Sequence, residues 1–173
     1  PKWKPVNYST KFYGLTTLRQ GVEKSRNLMT VRLAQALGMK IVAEYAKNLG
    51  VNDELPELLS MSLGAGDTKL VKMVNAYALF VNGGKQIAPY LIERIQDRNG
   101  KTILKHDKRV CPQCKAFEYS KQNVPELTDE REQLIDPLSA YQMTSILEGV
   151  VQRGTGIRLK WLNRHLAGKT GTT

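Results

Sequence analysis

Apolar residues along this 173-residue chain fall mostly at helical spacing, with short strand-like runs between and after the helical stretches. Pro1–Tyr13 is rich in Pro, aromatic residues and Lys and reads as an extended arm. Thr16 or Thr17 is placed to cap a short helix running through Lys24, weakened by Gly21. Ser25-Arg26-Asn27 interrupts the pattern. Leu28, Val31, Leu33, Ala34 and Leu37 resume it as far as Gly38. A further helix is predicted from about Ile41 to Leu49, stopped by Gly50. Leu58–Leu63 is a short apolar stretch ahead of Gly64-Ala65-Gly66. Asp67 or Thr68 is then predicted to cap the clearest long helix, Lys69 to Val81. Its Leu70, Val71, Val74, Tyr77, Ala78 and Val81 fit a 3.6-residue period, and Gly83-Gly84 ends it. Ile92–Gln96 and Lys101–Leu104 flank Asn99-Gly100, which predicts a hairpin with a type I′ turn, both central residues at positive φ. Asp136-Pro137 opens a helix that continues to Arg153, where Gly154-Thr155-Gly156 breaks it. Leu166-Ala167-Gly168 leads into a last predicted strand. Helices and strands segregate along the chain, which predicts an α+β fold.

Composition narrows the picture. Hydrophobic residues make up 41% and charged residues 24%, which argues against a mainly disordered chain. Two cysteines exclude a disulfide-dense miniprotein. The longest apolar stretches, such as Ala76–Val81, are far too short to span a bilayer. A formal net charge of +10 favours anionic partners: nucleic acid, acidic polymer or a membrane face. A nucleic-acid module would cluster aromatic and basic residues, but Phe, Trp and Tyr total only 7% and are scattered. The chain opens on Pro1 and stops at Gly168–Thr173, inside the last predicted strand, so it reads as a fragment truncated at both ends.

Candidate chemistry then thins out quickly. Gly168-Lys169-Thr170 lacks the earlier glycine of a phosphate-binding loop, because Asn163 stands in its place. Gly64-Ala65-Gly66 and Gly154-Thr155-Gly156 lack the third glycine of a dinucleotide fingerprint and read as turn glycines. No Gly-x-Ser-x-Gly elbow occurs. Cys111-Pro112-Gln113-Cys114 admits three readings. Zinc needs two further ligands, with His106 close and His165 distant in sequence. A redox pair belongs at a helix start in a βαβ setting. The third reading is a local disulfide or plain thiol pair.

Two motifs remain, Ser25-x-Asn27 and Lys169-Thr170-Gly171. Taken alone, Ser25 and Asn27 read as an interhelical cap pair, and Lys169 as a solvated strand-edge charge. Ser-x-Asn arises by chance in about half of chains this long. Their surroundings change the weighing. Trp3-x-Pro5-x-Asn7-Tyr8 and Tyr13-Gly14-x-x-Thr17-Leu18-Arg19 precede Ser25. Ala76-Tyr77-Ala78-x-Phe80-x-Asn82-Gly83-Gly84 and Pro89 follow, then Gly149-Val150-Val151, Gly154-Thr155-Gly156 and Ala167–Thr173. In order and spacing these segments resemble the transpeptidase domain of class A, bifunctional penicillin-binding proteins, nearly from end to end. The least typical part, residues 105–132 with both cysteines, looks like an insertion loop.

The resemblance implies a fragment of the β-lactamase/transpeptidase-like serine acyltransferase fold, a helical lobe plus antiparallel sheet strands. It implies a peptidoglycan D,D-transpeptidase that forms a serine acyl-enzyme on stem peptides and is trapped by β-lactams. A catalytically silent relative that binds without transferring is the near alternative. The implied nucleophile lies in Ser-x-x-Lys, yet each serine of this chain has another residue than Lys at the third place. Nucleophile and lysine are therefore expected before Pro1, and this chain alone is expected not to acylate. By the resemblance, Ser25 relays a proton to the leaving amine and Asn27 holds the substrate amide and the upstream lysine. Their side chains converge if the turn is locally extended. Lys169 supplies positive charge to the substrate carboxylate and to Ser25, Thr170 and Thr172 bind the same carboxylate, and Gly171 lets a peptide lie close along the strand edge. Half of the oxyanion hole is expected from a backbone N–H near Thr172. Arg26 is expected to face solvent or a partner carboxylate. No cofactor is implied. The implied whole protein carries a membrane anchor and a glycosyltransferase domain upstream and works at the periplasmic face of the inner membrane, near anionic lipid and glycan. That oxidising compartment favours a Cys111–Cys114 disulfide.

Overall fold

The structure is a computed structural model that describes residues 3–109, 111, 114, 124 and 127–171. The chain divides into two compact units, Pro1–Ile87 with Gln133–Thr173, and Ala88–Glu132.

The first unit is helical. Its elements are α1 (Leu18–Glu23), α2 (Asn27–Leu37), α3 (Met39–Asn48), a 3₁₀ turn at Leu59–Leu63, α4 (Leu70–Val81), α5 (Pro137–Gln152) and a second 3₁₀ turn at Ile157–Leu162. Thr17 caps α1 by accepting from the Gln20 N–H at 3.2 Å. Asp136 caps α5 by accepting from the Ser139 N–H at 2.9 Å, with Pro137 in the first turn. Both caps satisfy N–H groups that a helix start otherwise leaves open. Helix α5 is the hub: α1, α4 and the second 3₁₀ turn all pack on it. Its Ala140, Leu147, Val150 and Val151 are buried with Ala76 and Leu79 of α4, and Val31 and Ala34 of α2 are buried where that helix meets α1, α3 and the first 3₁₀ turn.

Three sequence expectations change here. Neither Asp67 nor Thr68 caps α4, whose N-cap is Lys69 without a side-chain bond. Thr68 instead donates its hydroxyl to the Val51 carbonyl, and the Asp67 carbonyl accepts from Asn52 Nδ2. The tie to the preceding loop takes the Thr68 hydroxyl, while Asp67 is tied through its main chain alone. Second, the α4 face expected in the core is mostly exposed at Leu70, Val71, Val74 and Val81. The helix is apolar nearly all round, and the small Ala76 beside Leu79 sets the side that closes on α5. Third, the last predicted strand is not one. Residues 164–171 form no ladder, and among the described residues no strand runs beside them.

The second unit holds the only two strands among the described residues, β1 (Arg94–Gln96) and β2 (Thr102–Lys105), paired antiparallel with a bulge between Ile95 and Gln96. Here the sheet content meets the α+β expectation, but the turn differs from type I′. Gly100 has φ 82°, while Asn99 is not among the residues at positive φ. The Gly100 N–H donates to the Asp97 carbonyl, and the Asp97 carboxylate accepts from the Asn99 and Lys101 N–H groups. The side chain of Asp97 thus stabilises an ordinary turn, and Gly100 alone takes the left-handed position next to the bulge. Cys111 and Cys114 are joined in a disulfide. Much of the expected insertion loop lies outside the described residues.

Candidate active site

Helix α1 ends in a way that fixes Ser25. The Ser25 N–H donates to the Val22 carbonyl at 3.1 Å, and the Arg26 N–H to the Gly21 carbonyl at 2.8 Å. These are the two bonds of a Schellman stop, which needs a left-handed residue just past the helix. Ser25 fills that place with φ 52°. Glycine is the usual occupant, and a serine there costs about 1 kcal/mol. The turn is therefore left-handed where the sequence suggested a locally extended one.

Asn27 follows as the first residue of α2. Its Nδ2 donates to the Val6 carbonyl at 3.1 Å and anchors the N-terminal arm. It makes no hydrogen bond with Ser25 or Lys169. The same arm supplies a cap that the sequence did not reveal. Buried Asn7 accepts from the Leu28 N–H at 3.2 Å and donates to the Lys11 carbonyl at 2.8 Å. Asn7 thereby satisfies an open N–H of the first turn of α2. Arg26 is half-buried and pairs with no carboxylate among the described residues; its guanidinium lies 3.1 Å from the centroid of the Tyr13 ring. The Tyr13 hydroxyl meets Ser9 at 2.7 Å, and that bond, with Arg26 beside it, lowers the phenol pKa.

Two residues before Ser25 stands Glu23, 2% exposed. Arg153, just past α5, grips its carboxylate with Nε at 2.9 Å and Nη2 at 2.6 Å. Arg19 adds a longer contact at 3.6 Å. The Glu23 carbonyl accepts from the Thr155 N–H at 3.1 Å, and Lys24 Nζ donates to the Arg153 carbonyl. Two glycines make this approach possible. A Cβ on Gly149 would lie 2.0 Å from Glu23 Oε1, and one on Gly154 would lie 2.3 Å from the Glu23 carbonyl oxygen. The Gly154-Thr155-Gly156 segment is thus a close-contact element as well as a turn.

The segment after the second 3₁₀ turn comes back to this point. The Gly168 N–H donates to the Leu147 carbonyl of α5 at 3.2 Å. Lys169 Nζ then donates to Ser25 Oγ at 2.8 Å and to the Thr170 carbonyl at 2.8 Å. Burial pushes the Lys169 pKa below the usual lysine value. Among the described residues no carboxylate pairs with this ammonium. Thr170 Oγ1 lies 2.6 Å from Thr155 Oγ1. The space beside Gly171 is open. Thr172 lies outside the described residues. The structure therefore brings together Ser25, Lys169, Thr170 and Thr155, while Asn27 bonds the Val6 carbonyl of the arm. What results is a half-buried, unpaired cation touching a hydroxyl, an arrangement suited to bind an anion and to move a proton through the serine.

The penicillin-binding protein transpeptidase domain, as a family, matches residues 1–173. The chain belongs to that family. Penicillin-binding protein 1A of Rickettsia bellii is 44% identical over the whole chain, which spans 22% of that relative's length. The crystal structure of penicillin-binding protein 1A from Haemophilus influenzae superposes with TM-score 0.81 at 28% identity, covering 99% of this chain and 28% of the other. The D,D-transpeptidase domain of a peptidoglycan glycosyltransferase from Eggerthella lenta superposes with TM-score 0.70 at 22% identity over 96% of this chain and 44% of that one, a likeness of fold. The chain thus spans about a fifth of the curated relative it matches. Among the described residues of this transpeptidase-domain chain no helix is long and apolar enough to cross a membrane. What sequence reasoning missed in it is the Glu23–Arg153 pair and Thr155. The available signal was Gly149 and Gly154, two small residues facing one helix end.

Proposed function

We propose that this chain is the part of a peptidoglycan D,D-transpeptidase domain that binds the substrate's terminal carboxylate and relays the proton to the leaving amine. The attacking serine and its lysine lie upstream in a longer protein, so the chain by itself does not acylate. Within it, Ser25 passes its hydroxyl proton to the nitrogen of the departing D-alanine and takes one back from the upstream lysine. Lys169 holds the Ser25 oxygen in line and offers its ammonium to the carboxylate of the stem peptide or of a β-lactam. Thr170 and Thr172 add hydroxyls, and a backbone N–H near Thr172 completes the oxyanion hole. Asn27 holds the substrate amide and the upstream lysine, its Nδ2 also fixing the arm to the start of α2. No cofactor enters. The whole protein is read as bifunctional, with a glycosyltransferase domain and membrane anchor, at the periplasmic face of the inner membrane.

The observation that carries this reading is the 2.8 Å contact of Lys169 with Ser25, two residues 144 positions apart that belong to the two motifs. Family membership over residues 1–173 supports it. Intact-mass spectrometry tests it. The full-length gene product with benzylpenicillin should gain a single penicilloyl adduct, and this chain none. An unmodified full-length protein would leave a silent binding relative as the better reading.

A further inference from the structure

Thr155 lies in the Gly154-Thr155-Gly156 segment and takes no role in the proposed function beside Ser25-x-Asn27 and Lys169-Thr170-Gly171, yet its surroundings are those of a mounted part. It is flanked by two buried glycines, Gly154 and Gly156, that lie against Val150 and, for Gly154, Glu23 as well. Its N–H is engaged by the Glu23 carbonyl at 3.1 Å, and Glu23 is in turn gripped by Arg153. Its hydroxyl reaches across to Thr170 Oγ1 at 2.6 Å. Thr170 is the neighbour of Lys169, whose ammonium has no carboxylate partner among the described residues. Two hydroxyls at hydrogen-bond distance share one proton, so one of them keeps its own O–H free for another acceptor. A fixed Thr155 that donates leaves the free O–H on Thr170, beside the unpaired cation. A hydroxyl polarised by such a bond is also the better donor to an anion.

We infer that Thr155 is a positioning residue of the carboxylate subsite, its hydroxyl donating to Thr170 so that the Thr170 O–H is free for the ligand's carboxylate. This rests on the proposed function and adds to it a residue that never touches the ligand. The Glu23–Arg153 pair is its anchor: it sets the height of the Thr155 backbone, and the side chain does the orienting. Serine at position 155 keeps the donor, and valine keeps the shape without it.

The test uses the full-length gene product and a probe pair that differs only at the carboxylate, benzylpenicillin and its methyl ester. Acylation rate constants are measured by intact mass for wild type, Thr155→Val and Thr155→Ser, with Tm recorded for each. Thr155→Val should slow the free acid about tenfold, the loss of about one good hydrogen bond to a charged group. The ester should be unchanged, and Thr155→Ser should stay within about twofold of wild type for both. Should the valine variant fail to fold, Thr155→Ala carries the same comparison. Equal slowing of acid and ester would make Thr155 a structural residue and overturn the inference, as would wild-type rates with the acid. A wild-type protein that neither probe acylates would overturn the proposed function and this inference with it. A wild type that acylates normally beside an unaffected Thr155→Val overturns the inference alone.

Discussion

The two units of the chain are held by opposite kinds of contact. In the first, the decisive bonds join residues far apart in sequence: Glu23 with Arg153 at a separation of 130, Arg19 with Ser145 at 126 and Ser25 with Lys169 at 144. In the second, two ion pairs among the described residues join positions two apart, Arg109 with Asp107 and Arg131 with Asp129. Its β1 and β2 are exposed at every residue, and a short turn joins them. Local bonds close small loops and need little else to form. They also carry little information about remote parts of the chain. Long-range bonds cost more chain entropy and need a packed setting, but they are what can hold one motif against another. The candidate site lies entirely in the unit built that way.

The largest expected effect comes from removing the contact that joins the motifs. In the full-length protein, Lys169→Ala should slow acylation by benzylpenicillin about 10³-fold with the fold preserved, since it deletes a charge donor at the reacting centre. An unchanged rate would remove Lys169 from the site. The wild-type lysine also has a pH signature. Burial holds its folded pKa below the ordinary lysine value of 10.5. While charged it therefore opposes folding, and its contribution to stability rises with pH between the lowered value and 10.5. Lys169→Ala should abolish that rise in urea titrations taken across the alkaline range.

Next comes the tie behind the motif. Glu23→Ala leaves Arg153 without its carboxylate and should lower stability by about 3 kcal/mol, near the lower end for breaking a buried pair, because Arg153 is still 57% exposed. Chemical denaturation checks this. A loss below about 1 kcal/mol would mean that the apolar core, and not the long-range polar ties, holds the first unit together. The smallest effect belongs to the second unit. Asp107→Ala removes an exposed local pair and should leave the denaturation midpoint of the full-length protein where it was. A clear shift would show that the second unit depends on more than its local bonds.

The sequence made the local rules readable and the tertiary exceptions opaque. Asp136-Pro137 and Thr17 cap helices as their types suggest, because nothing else competes for their side chains. Thr68 looks equally suited to capping, but the Val51 carbonyl claims its hydroxyl. Asn99-Gly100 marks a turn in the right place, and the Asp97 carboxylate then decides its type. At the site, the motif residues Ser25 and Lys169 are found from the sequence, while the left-handed turn under Ser25 is not, because serine seldom occupies it. Glu23 was invisible for a different reason. A glutamate in a short helix reads as a surface charge, and only the missing side chains of Gly149 and Gly154 hint that something closes over it.

That glutamate also sets an order of events during synthesis. Helix α1 leaves the ribosome 130 residues ahead of its counter-ion Arg153. Until then the Glu23 carboxylate must stay hydrated, and α1 has no α5 to pack on. Ser25 can be held in its final pose only after the Gly149–Thr155 stretch has arrived, and Lys169 comes later still. The Ser25–Lys169 contact thus waits on 144 residues of chain, and a nascent chain that has exposed only the first motif is without it.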